Sequence, residues 1–149
     1  MIDIESLHKM WALDAPIKEH ELDVSSLESP KLHSKYLELH NLSRMKLRKQ
    51  QLRLDELKLE KWRYYTGKMT KEEMDELGWK YDPYDGCTKP LKSEITQYIE
   101  SDKEVQTVKL KVEYYKVLVD AIEEIMGNIK WRSTNIKNIL EYRKFQSGM

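Results

Sequence analysis

The sequence has few of the residues that interrupt or cross-link a chain: one cysteine, five glycines and four prolines among 149 residues. A lone cysteine, Cys87, excludes an internal disulfide framework and is compatible with a reducing compartment. Because glycine and proline are the strongest helix breakers, their scarcity leaves long stretches free to continue as helix. With 35% charged and 40% apolar residues, the composition predicts long, exposed helices whose apolar faces are buried against each other or against other subunits.

Long apolar runs are also missing. No stretch approaches the roughly 20 apolar residues that cross a bilayer, and the first residues lack the basic and apolar regions of a secretory signal. We therefore expect an intracellular protein that has no membrane partner. The length favours a single domain, residues 1–149.

Catalytic and metal-binding motifs are absent as well. The sequence contains no glycine-rich phosphate loop and no pairing of a nucleophile with a base. Asp82, Asp85 and Gly86 lack the further acids and the closing glutamate of a calcium loop, so they predict a turn. The four histidines lie apart from any cysteine and form no zinc quartet: His8, His20, His33 and His40. These absences indicate a protein that is not an enzyme and uses no cofactor.

The net charge of zero conceals two basic zones. Residues 1–40 carry eight acids and four bases, residues 41–65 carry three acids and eight bases, and residues 130–149 carry one acid and five bases. Clustered Lys and Arg are typical of nucleic-acid-binding surfaces, because each cation that neutralises a phosphate releases a condensed counterion. The charge zoning therefore points to a nucleic-acid partner.

Helix signals predict an all-α fold with four consecutive parts. Residues 1–29 predict a short helix and a loop. Ser29 suits an N-cap and Pro30 suits a first helical position, so a long basic helix is predicted over residues 30–66, just before Gly67. Residues 67–102 form a connecting segment, in which the run from Thr70 to Glu73 resembles a capping box. Residues 103–146 predict a C-terminal helix.

The C-terminal helix has the spacing of a coiled coil. Its apolar residues recur alternately three and four apart: Val105, Val108, Val112, Tyr115, Val119, Ile122, Met126 and Ile129, then Ile136 and Leu140. Gly127 falls inside this pattern and is a position where the helix is expected to kink or end. We expect this seam to pack along the basic helix as a long helical hairpin.

The basic helix carries two apolar stripes. One side contains Tyr36, Leu54 and Tyr65. A second stripe lies well round the cylinder and consists of Met45, Leu52 and Leu59. Since a hairpin partner covers only one side, the second stripe needs a neighbouring subunit or the N-terminal segment. We expect subunits to pack through it and to build a ring-like homo-oligomer.

The candidate nucleic-acid interface lies on this basic helix. Its residues are Arg44, Lys46, Arg48, Lys49, Arg53, Lys58, Lys61, Trp62, Arg63 and Tyr64. The first five cations have no acid among them, and the aromatic residues stand beside bases. This combination suits a single strand, whose phosphates meet cations while its bases stack on rings without sequence preference. Two other interpretations stay open: a solvated helix face with i,i+4 ion pairs, and aromatic residues that belong to the core.

A second basic cluster closes the chain. It consists of Lys130, Arg132, Lys137, Arg143 and Lys144, with Trp131 and Tyr142 among them. These charges partly complement the dipole of the C-terminal helix. In a ring they would lie near the oligomer axis or add a second nucleic-acid contact, and the sequence favours neither.

Four short motifs occur in a characteristic order between about residues 23 and 148. They are Ser34-Lys35-Tyr36-Leu37, Tyr64-Tyr65-Thr66-Gly67, Ser101-Asp102-Lys103-Glu104-Val105 and Ile136-Lys137-Asn138-Ile139. In that order they are similar to Tyr-Ser-Lys-Trp-Leu, Tyr-Tyr-Ser-Gly, Ala-Asp-Lys-Asp-Val and Ile-Lys-His-Ile in the UvsY family of recombination mediators of T-even-like phages. The shared order and similar separations carry the resemblance.

The resemblance implies a ring-like hexamer or heptamer that binds single-stranded DNA in the cytoplasm of the infected bacterial host. It further implies that the protein helps a UvsX-type recombinase replace the phage single-strand-binding protein during recombination, repair and replication. The family's DNA-contacting Lys-x-Arg falls on Leu59 and Lys61, so the first cation is missing at its own position, while Lys58 and Arg63 lie nearby. The alternative is a structural coiled-coil scaffold or adaptor that binds protein partners only.

Overall fold

The computed structural model describes residues 2–148, and these contain helices and no strand. In chain order the α-helices are α1 (Ile4–Asp14), α2 (Leu22–Tyr65), α3 (Lys71–Leu77), α4 (Ile95–Ser101) and α5 (Lys103–Gln146), with a 3₁₀ turn at Lys92–Glu94. The predicted all-α class is confirmed. Across the described chain, none of the helices is both long and apolar enough to cross a membrane.

The start of α2 differs from the prediction. The helix begins at Leu22, and Pro30 lies inside it. Pro30 has no N–H to donate within the helix, which is why the sequence favoured it as a first-turn residue. The extra turns are fixed by tertiary contacts: Leu22 and Ser25 are buried, and Ser25 Oγ accepts a hydrogen bond of 2.9 Å from the Lys18 backbone N–H.

The short helix α3 begins at the capping box that the sequence indicated. The Glu73 N–H donates to Thr70 Oγ1 at 3.2 Å, the Thr70 N–H donates to Glu73 Oε2 at 3.1 Å, and Gly78 ends the helix with φ +71°. This capping box satisfies N–H groups that lack partners inside the helix, so a local signal suffices to place it.

The C-terminal helix α5 is as long as predicted. At its start Asp102 Oδ1 accepts hydrogen bonds from the N–H groups of Glu104 and Val105, at 2.9 and 3.3 Å. The helix does not end at Gly127 but continues to Gln146.

The turn predicted at residues 82–86 also forms, since the Asp82 carboxylate accepts hydrogen bonds from the N–H groups of Tyr84 and Gly86.

The chain divides into two compact units. The first unit combines the N-terminal residues as far as Lys46 with the chain from Tyr115 onward, and the second is Leu47–Tyr114. Both long helices contribute to each unit, because the divisions fall inside α2 and α5.

In the first unit α1 packs against α2 and α5. The fully buried residues are Leu7, Tyr36, Leu118 and Ile122, and Ile125 and Ile129 extend the same cluster. The Trp11 ring meets the Tyr36 ring edge-on, with centroids 5.6 Å apart. Tyr36 Oη donates to Asp14 Oδ2 at 2.8 Å, which satisfies the polar end of a buried aromatic ring.

The second unit has its own core. Its buried residues come from α2, the chain around α3, α4 and the start of α5: Leu57, Tyr64, Tyr65, Met69, Met74, Ile95, Ile99 and Val105. Tyr64 also contacts the Trp79 ring, with centroids 5.0 Å apart. The end of the basic helix is therefore enclosed by short elements of the segment that follows it.

Candidate nucleic-acid interface

Four of the predicted cations lie exposed along the middle of α2. Arg44 and Lys46 belong to the first unit, and Arg48 and Lys49 belong to the second. Within residues 2–148 none of the four takes part in an ion pair or side-chain hydrogen bond. Arg53 approaches a carboxylate only loosely, with 4.0 Å between Nη1 and Glu60 Oε1. These side chains are therefore not neutralised by i,i+4 pairs, as an ordinary solvated helix face would be.

In the second unit the cations flank an apolar ridge. Leu52 and Leu59 are seven residues apart, about two turns, so they share one face of α2. Both are exposed, Leu52 to 47% and Leu59 to 61%. At about 100° per residue, Lys49 and Arg53 lie on one side of this ridge and Arg48 lies on the other.

Lys61 lies inside the second unit, with its side chain only 4% exposed. Its Nζ is 3.1 Å from Asp102 Oδ2 and 3.6 Å from Glu104 Oε1. The same ammonium lies 3.8 Å from the centroid of the Trp79 ring, in the geometry of a cation–π contact. Lys61 was predicted to contact DNA, but in this conformation a phosphate cannot reach its ammonium without opening the core.

The partners of Lys61 are themselves connected. Tyr65 Oη donates to Asp102 Oδ2 at 2.7 Å, and Trp79 Nε1 donates to Glu104 Oε1 at 2.8 Å. Burial by itself would raise the pKa of Asp102, but the hydrogen bonds from Tyr65 and Lys61 outweigh it and lower that pKa. Burial and the hydrogen bond to Asp102 together raise the pKa of the Tyr65 hydroxyl. Two of the four sequence motifs therefore meet in one buried network.

Tyr64 is also a core residue rather than a stacking surface. It is buried, its ring contacts Tyr65 and Trp79, and its Oη donates to the Lys80 carbonyl at 2.8 Å. A base cannot stack on the Tyr64 ring, because neighbouring side chains already cover it. For Tyr64 the interpretation that aromatic residues belong to the core is therefore the correct one.

Lys58, Arg63 and Trp62 remain at the surface beside this core. Lys58 lies 3.4 Å from Glu100 Oε1, and Arg63 Nη2 donates to both carboxylate oxygens of Glu73, at 3.0 and 2.8 Å. The hydrogen bonds from Arg63 and from the Thr70 N–H lower the pKa of Glu73. Trp62 is 40% exposed, which leaves part of its ring available to a ligand.

Sequence reasoning missed three lysines that lie next to Trp62. Lys68, Lys89 and Lys92 line a surface cavity together with this tryptophan. They belong to residues 67–102, which the sequence predicts only as a connecting segment. The available signal was the closely spaced pair Lys89 and Lys92, which has no acid between its members, but nothing in the sequence placed that pair beside α2.

The C-terminal basic cluster is partly structural. Arg132 is buried, and its guanidinium donates to the carbonyls of Ala15 and Pro16, at 3.1 and 3.2 Å, just after α1 ends. Arg143 donates to the Glu19 carbonyl. Both arginines therefore hold the N-terminal segment within the first unit, whereas Lys130 and Lys144 remain exposed.

Residues 10–149 match the family model described as "Recombination, repair and ssDNA binding protein UvsY". Over 145 residues the chain is 26% identical to the recombination protein uvsY of Enterobacteria phage T4. That match covers 97% of this chain and 98% of the phage T4 protein.

The fold matches crystal structures of the recombination mediator protein UvsY of bacteriophage T4. For lattice type II the TM-score is 0.83 at 22% identity, with 99% of both chains covered. For lattice type IV the TM-score is 0.80 at 20% identity, with 97% of this chain and 99% of the other covered. At these identities the likeness concerns the fold.

Proposed function

Because the chain belongs to the UvsY family of recombination, repair and single-stranded-DNA-binding proteins, we propose that it is a recombination mediator that binds single-stranded DNA as a homo-oligomer. It helps a UvsX-type recombinase assemble on DNA in place of the phage single-strand-binding protein, in the cytoplasm of the infected host. The observation that carries the DNA-binding part is the set of exposed, unpaired cations in the middle of α2. The role is one of binding and assembly and involves no chemical step.

The proposed contact set is narrower than the one predicted from the sequence. It retains Arg44, Lys46, Arg48, Lys49, Arg53, Lys58, Trp62 and Arg63, all of which reach the surface. Lys61 and Tyr64 support this surface from inside. The ion pairs of Lys58 and Arg63 are half-exposed, and such pairs contribute only about 0–1 kcal/mol, so a phosphate competes with them effectively.

Two exposed apolar surfaces support the oligomer. One is the ridge formed by Leu52 and Leu59 in the second unit. The other lies on the last part of α5 in the first unit, where Trp131, Tyr142 and Phe145 are 62–80% exposed. Large exposed apolar side chains that share a helix face are suited to contact with another subunit, since burying them releases water. An oligomer would repeat the cations of α2 and raise the effective concentration of phosphate contacts along a strand.

The test of DNA binding is fluorescence anisotropy with labelled oligo-dT across a salt titration, on protein whose mass is known from light scattering. We expect tight binding by a multimer, with an affinity that falls steeply as salt rises, because the contacts are made to phosphates. A multimer that fails to bind oligo-dT at low salt would favour the scaffold that holds protein partners only.

A charge-reversed variant localises the contact. We expect Arg48→Glu, Lys49→Glu and Arg53→Glu, combined in one chain, to abolish binding at moderate salt while leaving the oligomer intact. The matched control reverses three other exposed lysines, Lys31, Lys111 and Lys116, and therefore changes the net charge by the same amount. Equal loss of binding in the two variants would show that net charge, and not this surface, holds the strand.

The mediator role requires a separate assay. A strand coated with single-strand-binding protein is mixed with a UvsX-type recombinase, and recombinase assembly is followed by fluorescence energy transfer on the DNA. We expect the wild-type protein to accelerate assembly and the Arg48, Lys49 and Arg53 reversal to lose this effect. Acceleration that persists in the reversed variant would separate recombinase loading from DNA binding by α2.

A further inference from the structure

The second unit contains a cavity of about 200 Å³, and Trp62 is the one lining residue that the predicted contact set includes. It is lined by Trp62 and Thr66 near the end of α2, by Lys68 just after it, and by Lys89, Pro90, Lys92 and Ile95. The lining has an apolar part and three ammonium groups, and it contains no carboxylate. Such a site suits a ligand that has both a flat apolar portion and a negative charge.

The end of α2 shapes this cavity. Gly67 has φ +77°, a conformation that side chains with a Cβ rarely adopt, and it lets the chain reverse direction. The Lys68 N–H then donates to the Arg63 carbonyl at 2.8 Å and the Gly67 N–H to the Tyr64 carbonyl at 3.3 Å, as in a Schellman motif. This turn brings Lys68 back over α2, so that its Nζ lies 4.4 Å from the centroid of the Trp62 ring.

The three lysines are free to meet an anion. No ion pair within residues 2–148 involves Lys68, Lys89 or Lys92. Lys68 rests instead on the partly exposed Trp62 ring, a contact that contributes only about 0.5–1 kcal/mol at an exposed site. An incoming phosphate attracts the ammonium more strongly, since hydrogen bonds between ionised groups are the strong ones. Moving Lys68 onto a phosphate would uncover the indole.

We propose that this cavity is a nucleotide subsite, in which one base of a bound single strand stacks on Trp62 while Lys68, Lys89 and Lys92 hold the adjacent phosphates. The inference rests on the proposed function and adds a place where the strand is held by a base and not only by its backbone. Stacking on an aromatic ring needs no particular base, so the subsite adds affinity without sequence preference.

An acidic protein segment is the other ligand that three lysines could attract. The nucleotide is favoured because the cavity also offers Trp62, Pro90 and Ile95, whose apolar surfaces a base covers and an Asp or Glu side chain does not. Trp62 also shares α2 with the exposed cations, so a strand that follows the helix passes from them to the cavity. Arg48 and Trp62, for example, are fourteen residues apart and differ by only about 40° around the helix axis.

The test compares oligo-dT with an abasic strand of the same length and therefore the same phosphate charge. We expect the wild-type multimer to prefer oligo-dT, and Trp62→Ala to lower the affinity for oligo-dT about tenfold while leaving the affinity for the abasic strand unchanged. The matched control is Tyr81→Ala. It removes another exposed aromatic ring that contacts a lysine, since Lys71 Nζ lies 5.6 Å from the centroid of the Tyr81 ring. This control should behave as the wild-type protein does.

The lysines are tested separately. We expect Lys89→Glu combined with Lys92→Glu to weaken oligo-dT and the abasic strand alike, because these residues contact phosphates. The control with equal charge change is Lys71→Glu combined with Lys103→Glu, two exposed lysines outside the cavity. A strand carrying 5-iodouracil, irradiated and digested, should cross-link to the peptide that contains Trp62.

The outcomes separate this inference from the proposed function. A wild-type multimer that binds neither strand would refute DNA binding altogether. Equal affinity for oligo-dT and the abasic strand, or no effect of Trp62→Ala, would leave DNA binding intact but overturn the subsite. An oligo-glutamate peptide of equal charge is the third probe. If it binds as tightly as oligo-dT, and if Trp62→Ala weakens both equally, the cavity binds an acidic protein partner and the nucleotide subsite is overturned.

Discussion

Replacing Lys61 by methionine separates a structural cation from a DNA-binding one. Methionine keeps most of the apolar stem of lysine and removes the ammonium group. In the wild-type protein that group lies 3.1 Å from Asp102 Oδ2, 3.6 Å from Glu104 Oε1 and 3.8 Å from the centroid of the Trp79 ring. The substitution therefore leaves a buried carboxylate without its cation.

The loss of stability in Lys61→Met depends on the hydrogen bonds that Asp102 retains. Removing one partner of a buried ion pair costs about 3–5 kcal/mol, because the remaining charge stays buried. Asp102 retains hydrogen bonds from Tyr65 Oη at 2.7 Å and from the Glu104 N–H at 2.9 Å. These bonds place the expected loss at the lower end, about 3 kcal/mol of unfolding free energy. That is a large share of the roughly 5–15 kcal/mol that stabilises a typical domain.

The assay measures the urea midpoint of unfolding and the affinity for oligo-dT at one protein concentration. The control is Lys58→Met, which removes a cation three residues earlier whose side chain is 38% exposed and whose Nζ lies 3.4 Å from Glu100 Oε1. That exposed pair contributes at most about 1 kcal/mol to stability. We expect Lys58→Met to weaken DNA binding with little loss of stability, and Lys61→Met to do the reverse.

One pattern of results would identify Lys61 as a DNA contact instead. If Lys61→Met unfolds at nearly the wild-type urea concentration but binds oligo-dT more than tenfold less tightly, Lys61 contacts the strand directly. The core observed around its ammonium would then have to open when DNA binds.

Three further predictions concern pH, assembly and packing. Folding lowers the pKa of Asp102 below its ordinary value of 3.8, so the stabilisation that the Asp102 carboxylate provides is present above pH 3.8 and is lost as the pH falls through the lowered pKa. Asp102→Asn should therefore flatten the acid side of a profile of unfolding free energy against pH. An unchanged profile would count against this role of Asp102. Leu59→Glu should reduce the oligomer mass seen by light scattering, whereas Leu13→Glu on α1, where the side chain is 84% exposed, should not; full assembly of Leu59→Glu would exclude the ridge as an interface. Tyr36→Phe removes the hydrogen bond to Asp14 and should cost about 1 kcal/mol of unfolding free energy, and no measurable loss would show that this bond contributes nothing net.

Local signals in the sequence were sufficient for much of the fold. The cap at Thr70 was readable because its hydrogen bonds join residues three apart. The spacing of apolar residues placed α5 correctly because the helical period brings every third or fourth residue to the same face. The start of α2 was not readable. Pro30 fits both a first turn and this helix interior, and buried Leu22 and Ser25 decide between them.

The candidate site divides in the same way. The sequence by itself determined which stretch of α2 would carry unpaired cations, because residues 39–54 contain no acid. Only the tertiary structure decided that Lys61 turns inward and that Lys89 and Lys92 lie near Trp62. The physical reason is that charge pairing and burial depend on residues far apart in the sequence. Asp102 reaches Lys61 only after the intervening chain has folded, and no local pattern records that meeting.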